Sequence, residues 1–277
     1  MIIIESAGIT DIGQARKGNE DCFFVDDGLM LYMVADGMGG HQAGEVASEL
    51  LVDTMRDYMI RFNEGSDVEE HIDSLSREAN RLFSSILLAN NRVYQVSQSK
   101  DSLKGMGTTI SALYCSDKTM IAANVGDSPI YLVHDGKIDL LSELHTVMAE
   151  QIALGQEGGG LLGDKFKHML TRAIGVGEDV KPYICEFQIF KGDTLIICSD
   201  GLSNKVLPEE INSVIKREPP EKACKILVDM ANERGGEDNI TVVVLRVKKV
   251  FGNSRVMKLL YKLIKAVCSH PFKLSRQ

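Results

Sequence analysis

Four times in this 277-residue chain an aspartate stands just past an apolar run or inside a tight glycine turn. The stretches are MVADGMGG (Asp36), IAANVGDS (Asp127), LIICSDGL (Asp200) and RGGEDNITVVV (Asp238), and RKGNEDCFF adds Glu20 and Asp21. Strand ends are rigid, so side chains there can be aimed at a common point. Glycine beside an aspartate lets the backbone approach a ligand closely. Carboxylates brought together repel and raise one another's pKa unless a cation holds them. Oxygen donors without His or Cys clusters suit a hard cation such as Mg²⁺ or Mn²⁺. At any single site a plain turn is the simpler reading, because Asp-Gly is a common turn dipeptide. The inference rests on the set.

Charge points the same way. The net charge of −8 conceals an asymmetry, since nine Lys or Arg and no acid follow from Arg246 onward. Residues 1–245 keep 22 basic against 39 acidic groups, a net of −17. An acidic body argues against nucleic-acid binding, which needs a basic surface to neutralise phosphates. It suits a protein that gathers cations. The six cysteines are scattered with no CxxC pair, which reads as reduced thiols in a cytoplasmic protein rather than a disulfide framework or zinc site. No apolar run approaches the ~18 residues of a membrane span.

Periodicity supplies the elements. Residues 1–35 read as strands, with a turn rich in Gly and Lys near 13–18. Helical spacing of apolar residues covers about 43–62 and again 67–97. Residues 106–142 read as short strands of antiparallel hairpins, and GQEGGGLLGD (155–164) as a loop. Strands are expected at 194–200 and 239–247. Pro208 and Pro220 suit the first turns of helices over 208–217 and 220–233. Helices grouped between sets of strands predict an α+β layered fold rather than a regular βαβ array.

Seven stretches, in order, resemble the metal-dependent protein serine/threonine phosphatases of type 2C in their bacterial form. They are GQARKGNED (13–21), VADGMGGHQAGE (34–45), GTT (107–109), ANVGDS (123–128), LTRAIG (170–175), CSDGL (198–202) and GGEDNITVVV (235–244). The resemblance spans residues from about 7 to 247. It implies a four-layer α-β-β-α sandwich of two antiparallel sheets flanked by helices, with two divalent cations, Mn²⁺ or Mg²⁺, in a cleft between the sheets. By motif match Asp36 bridges both ions, Glu20 and the Gly37 carbonyl serve one, and Asp200 and Asp238 serve the other. Asp127 matches a residue that helps hold a third, weaker ion, and Arg16 matches the arginine that grips the substrate phosphate. Arg16 and Asp36 are thus the catalytic candidates.

That assignment agrees with the chemistry. Phosphoryl transfer to water needs a nucleophile, charge neutralisation and alignment, and two adjacent ions can supply all three. An arginine fork matches phosphate oxygens in a way lysine cannot. Competing chemistries lack their residues: there is no Cys-x5-Arg, no GxSxG elbow and no GxxxxGK[ST] loop. The general acid stays unassigned. Met38 stands where some eukaryotic relatives carry histidine, and His41 is more simply a loop or helix-start residue.

Three departures from the family pattern bear on specificity. Pro129 follows GDS where arginine is usual, and Leu144 in ELHTV (143–147) takes an acidic position. The flap at about 148–168 is glycine-rich and lacks the usual Glu-rich helix. Residues 1–248 are read as the catalytic domain and 249–277 as a basic amphipathic tail. In that tail Val256, Leu259, Leu260, Leu263, Ile264 and Val267 share one helical face, and Arg255, Lys258, Lys262 and Lys265 the other. Such a helix can lie on an anionic membrane, dock in a partner's groove, or pack on its own acidic body. The expected function is hydrolysis of phosphoserine and phosphothreonine in proteins by a cytoplasmic monomer, opposing a bacterial Ser/Thr kinase. The alternatives are a phosphoprotein-binding regulatory module and a hydrolase of small phosphate esters.

Overall fold

The computed structural model describes residues 2–39, 43–63, 72–117, 119–155 and 169–250. Two antiparallel sheets stack face to face. The first has the strand order β1 (Ile2–Asp11), β11 (Ile240–Val250), β10 (Thr194–Cys198), β7 (Ile130–His134) and β8 (Lys137–Leu140). The second runs β2 (Asp21–Asp26), β3 (Leu31–Met38), β5 (Ile110–Ser116), β6 (Thr119–Val125) and β9 (Tyr183–Gln188), with the short β4 (Gly107–Thr108) paired to β3. Helices α1 (Ala43–Asn63) and α2 (Arg77–Ser99) cover the second sheet. The first is covered by α4 (Asp200–Ser203), α5 (Pro208–Arg217) and α6 (Pro220–Glu233). Helix α3 (Val147–Ala153) follows β8, and Thr146 just before it pairs with Leu170 in an isolated bridge. The four-layer sandwich expected from the sequence is the fold.

The layers follow from strand alternation, which sends successive side chains to opposite faces. In β11, Val243, Leu245 and Val247 enter the core between the sheets. Their neighbours Val242 and Val244 pack instead under the outer helices. In β3, Tyr32 and Val34 face the other sheet while Leu31, Met33 and Ala35 meet α1 and α2. Strands buried on both faces read as continuous apolar runs, as LMLYMVA and ITVVVL do. Each fully buried Val, Ile or Leu contributes about 1.5–3 kcal/mol.

Element boundaries match the sequence expectation where a chemical stop is present. Helices α5 and α6 span 208–217 and 220–233 as expected, each with proline in its first turn. Strand β10 ends at Cys198, two residues short of the expected 200, because Asp200 opens α4. The second helix starts at Arg77 rather than 67. Ser76 caps it by accepting the Ala79 N–H, and the Asn80 side chain bonds the Ile72 and Leu75 backbone of the preceding turn. Residues 67–71 of the expected span lie outside the described residues. The start of the flap is also helical, against expectation, because Thr146 caps α3 through the Ala149 N–H. The glycine loop at 156–164 and His41 lie outside the described residues, as does the tail from 251 onward. Strand β11 continues through Val250, paired with Ile2, two residues past the expected boundary at 248.

Candidate active site

One cleft of about 540 Å³ is lined by all seven residues the sequence nominates: Arg16, Glu20, Asp36, Gly37, Asp127, Asp200 and Asp238. Strand register explains the convergence. Asp36 has the parity of Tyr32 and Val34, so it belongs to the face of β3 that looks at the other sheet. Across the β2–β3 ladder its partner is Asp21, on the same inter-sheet face as Phe23 and Val25. Like charges directly opposite on one face destabilise a sheet. This sheet nonetheless sets two carboxylates opposite each other at its end.

Backbone geometry then tightens the ring. A Cβ on Gly37 would stand 2.3 Å from the Gly44 carbonyl oxygen and 2.4 Å from that of Glu20. A Cβ on Gly201 would lie 2.0 Å from the Asn239 carbonyl oxygen. Glycine after Asp36 and Asp200 therefore lets chain press on chain, holding Glu20 near Asp36 and Asp200 near Asp238. The GTT stretch fixes Asp36 itself. Its amide donates to Thr109 Oγ1 at 3.0 Å, and its carbonyl accepts from the Thr109 amide at 2.8 Å and from Thr108 Oγ1 at 3.0 Å.

Asn239 does similar work for the arginine loop. Its Nδ2 donates to the carbonyls of Ile12 and Gly18, and its Oδ1 accepts the Glu20 amide at 2.8 Å. The loop between β1 and β2 is thus stitched to the start of β11. Arg16 on that loop donates through Nη2 to Asp238 Oδ2 at 2.7 Å and through Nε to the Glu237 carbonyl. Nη1 makes no hydrogen bond among the described residues.

Burial and mutual charge act on the acids as electrostatics requires. Burial first, then Asp21, Asp200, Asp127 and Asp238, hold the Asp36 carboxyl well above the usual range. Asp21 is pushed up to about 7 by burial, despite hydrogen bonds from Thr241 and Ser199, with Asp200 and Asp238 adding to the rise. Asp127 rises to about 7 through burial and the charge of Asp200. An all-oxygen donor set with proton affinity raised to this degree fits a divalent hard cation. Among the described residues no three acids are drawn to ligating distance about one point. Asp238 is paired with Arg16 at 2.7 Å.

Two contributors were missed in the sequence. Asp21 belongs to the acidic set in the sequence but to none of the motif-matched ligand positions, and Thr241 Oγ1 donates to its Oδ2 at 2.6 Å. Its buried position, opposite Asp36, is visible only in the strand pairing. His145, in the ELHTV stretch, is fully buried. Its Nδ1 accepts the Gly126 amide at 3.1 Å, and Arg172 Nη1, on the cleft wall, lies 3.0 Å from Nε2. Burial and Arg172 lower its pKa to about 4, so it stays neutral at pH 7 and braces the turn that carries Asp127.

A helix-flanked pair of antiparallel sheets with this acid-lined cleft defines a class, the type 2C phosphatase architecture. The family described as Protein phosphatase 2C matches residues 8–240. Serine/threonine phosphatase stp of Listeria welshimeri is 36% identical over 244 residues, covering 85% of this chain and 93% of the relative. The S. agalactiae serine/threonine phosphatase structure superposes with a TM-score of 0.77 at 34% identity, covering 89% of this chain and 100% of that one. The catalytic domain of the phosphatase PstP in complex with two manganese ions superposes at 0.76 with 28% identity, covering 90% and 100%. The chain belongs to the protein phosphatase 2C family, in its bacterial form, and is a protein-serine/threonine phosphatase. No described helix is long and apolar enough to cross a membrane.

Proposed function

We propose that this chain hydrolyses phosphoserine and phosphothreonine in proteins at a binuclear centre of Mn²⁺ or Mg²⁺, opposing a bacterial Ser/Thr kinase. The observation that carries the reading is the cross-strand pair of Asp21 and Asp36, with Asp127, Asp200 and Asp238 around it and Arg16 at the rim. Asp36, Glu20 and the Gly37 carbonyl would hold one ion, and Asp36, Asp200 and Asp238 the other. Asp127 would help hold a third, weaker one. When bound, the ions supply Lewis acidity at the phosphoryl group and make water a competent nucleophile at neutral pH. The chain's own share is positional. Arg16 takes phosphoryl oxygens on its open Nη1 edge. Thr108 and Thr109 keep the Asp36 backbone still, and Asn239 keeps the arginine loop at a fixed distance from Asp238.

The assay that tests this compares a phosphothreonine peptide with a small phosphate ester, with and without Mn²⁺, for the wild type and Arg16→Ala. The expected outcome is metal-dependent peptide hydrolysis, with KM raised about tenfold or more in Arg16→Ala. Binding without turnover supports the regulatory-module reading instead. Small esters cleaved far better than peptides support the third reading.

The catalytic unit is proposed to end near residue 248, as a cytoplasmic monomer, with residues 249–277 acting outside it. We propose that this basic amphipathic segment contacts an anionic membrane or a partner. Removing residues 252–277 is expected to leave peptide kcat/KM within about twofold while reducing binding to vesicles containing anionic lipid. A large loss of thermal stability in the shortened chain instead assigns the segment to the core.

A further inference from the structure

A second groove, of about 670 Å³, opens directly beside the catalytic cleft, and Arg16 and Glu20 line both. Its walls come from three separate elements. Lys17 and Gly18 belong to the loop between β1 and β2, Ala43 and Glu45 to the first turn of α1, and Ser102 and Leu103 to the 3-10 turn Asp101–Leu103. The loop wall is held in place, because Asn239 grips the Gly18 carbonyl and the Glu20 amide. A Cβ built on Gly18 meets nothing within 4 Å, so the groove is open there. Lys17 and Glu45 are exposed, and among the described residues neither side chain makes an ion pair or a hydrogen bond.

We propose that this groove seats the substrate polypeptide on one side of the phosphoresidue, and that Lys17 and Glu45 select its sequence. The proposal rests on the phosphoprotein reading above. The two cavities share Arg16 and Glu20 as their common rim, so a chain whose phosphate lies at Arg16 reaches the groove across that rim. Leu103, half-buried, offers apolar surface, and Lys17 and Glu45, without a side-chain partner among the described residues, offer charge. Lys17 is a cation on a body of net charge −17, so an acidic side chain near the phosphoresidue finds its complement there and repulsion over most of the remaining surface. Glu45 does the converse for a basic side chain. The favoured substrate therefore carries an acidic and a basic residue on the same side of its phosphothreonine or phosphoserine. Discrimination of this kind comes as much from repelling the wrong charge as from attracting the right one.

The test uses the full chain with Mn²⁺ and measures kcat/KM on phosphothreonine peptides bearing Asp or Lys at positions flanking the phosphoresidue. p-Nitrophenyl phosphate, too small to reach the groove, is the control. Lys17→Glu is expected to shift the Asp-over-Lys preference by about tenfold, and Glu45→Lys to shift preference in the opposite sense at its own flanking position. Ser102→Trp, on the far wall, is expected to slow all peptides by about five- to tenfold. In all three variants p-nitrophenyl phosphate turnover is expected to stay within about twofold of wild type. Unchanged peptide preference in both charge variants overturns the proposal. So does a parallel loss of ester and peptide activity in the folded variants. A wild-type chain that cleaves p-nitrophenyl phosphate but no phosphopeptide overturns the phosphoprotein reading itself, which separates the two failures.

Discussion

Asp36→Asn is expected to lower Mn²⁺-dependent phosphopeptide kcat/KM by at least ~10³-fold, about 4 kcal/mol of transition-state stabilisation. The backbone at this position is held by Thr108 and Thr109, not by the carboxylate, so the substitution changes charge with little change of shape. That separation yields a second readout. Asp36 stands opposite Asp21 in the β2–β3 register, and removing one charge relieves the repulsion between them. In EDTA the variant is therefore expected to melt a few degrees above the wild type, by ~2–4 °C per kcal/mol for a domain of this size. The Tm increase on adding Mn²⁺ should shrink at the same time. Retention of activity within tenfold of wild type would remove Asp36 from the catalytic centre.

The second large effect is a pH dependence that inverts with metal. Asp21 and Asp127 have folded pKa values near 7 and Asp36 is also raised. Their unfolded values lie near 4. Between pH 4 and 7 the metal-free fold thus binds more protons at these groups than the unfolded chain. Its stability falls as pH rises through that window. His145 opposes this. Its folded pKa is lowered to about 4, so over the same range the unfolded chain takes the extra proton there. One histidine against three carboxylates leaves stability lower at pH 7 than at pH 4. Thermal melts in EDTA from pH 4.5 to 7.5 should therefore show Tm decreasing with pH. With Mn²⁺ at a hundredfold over its Kd, about 2.7 kcal/mol is returned where the carboxylates are ionised. The downward slope then flattens or reverses. An EDTA profile that rises across this window would show that these acids are not forced together.

The sequence exposed those parts of the fold and site whose signals are local. Proline at the first turns of α5 and α6 marked both helices to the residue. The strand-end aspartates were visible because apolar runs stop at them. What escaped was whatever depends on pairing between distant segments. Asp21 sits beside Glu20 in the chain, yet its significance comes from lying opposite Asp36, fifteen positions away. Asn239 looked like an ordinary strand-start residue, although its amide bonds Ile12, Gly18 and Glu20 at the other end of the chain. The glycines after Asp36 and Asp200 were expected to admit a ligand. In the structure they also admit neighbouring backbone, a use that no local pattern distinguishes. Apolar spacing that continues through Leu75 predicts a start of α2 near 67, whereas the Ser76 cap sets it at Arg77.

The pairing of the first and last strands has a practical side. Ile2 is registered with Val250, while Asp11 at the opposite end is registered with Ile240, next to Asp238. Ten residues of strand at ~3.3 Å each put roughly 30 Å between the cleft and the place where both ends of the sandwich meet. A reporter protein or tether grafted at residue 250 therefore stands clear of incoming substrate. Joining residue 250 to residue 2 by a short linker, and reopening the chain at an exposed turn such as Asp135–Gly136, should give a permuted enzyme with its catalytic geometry intact.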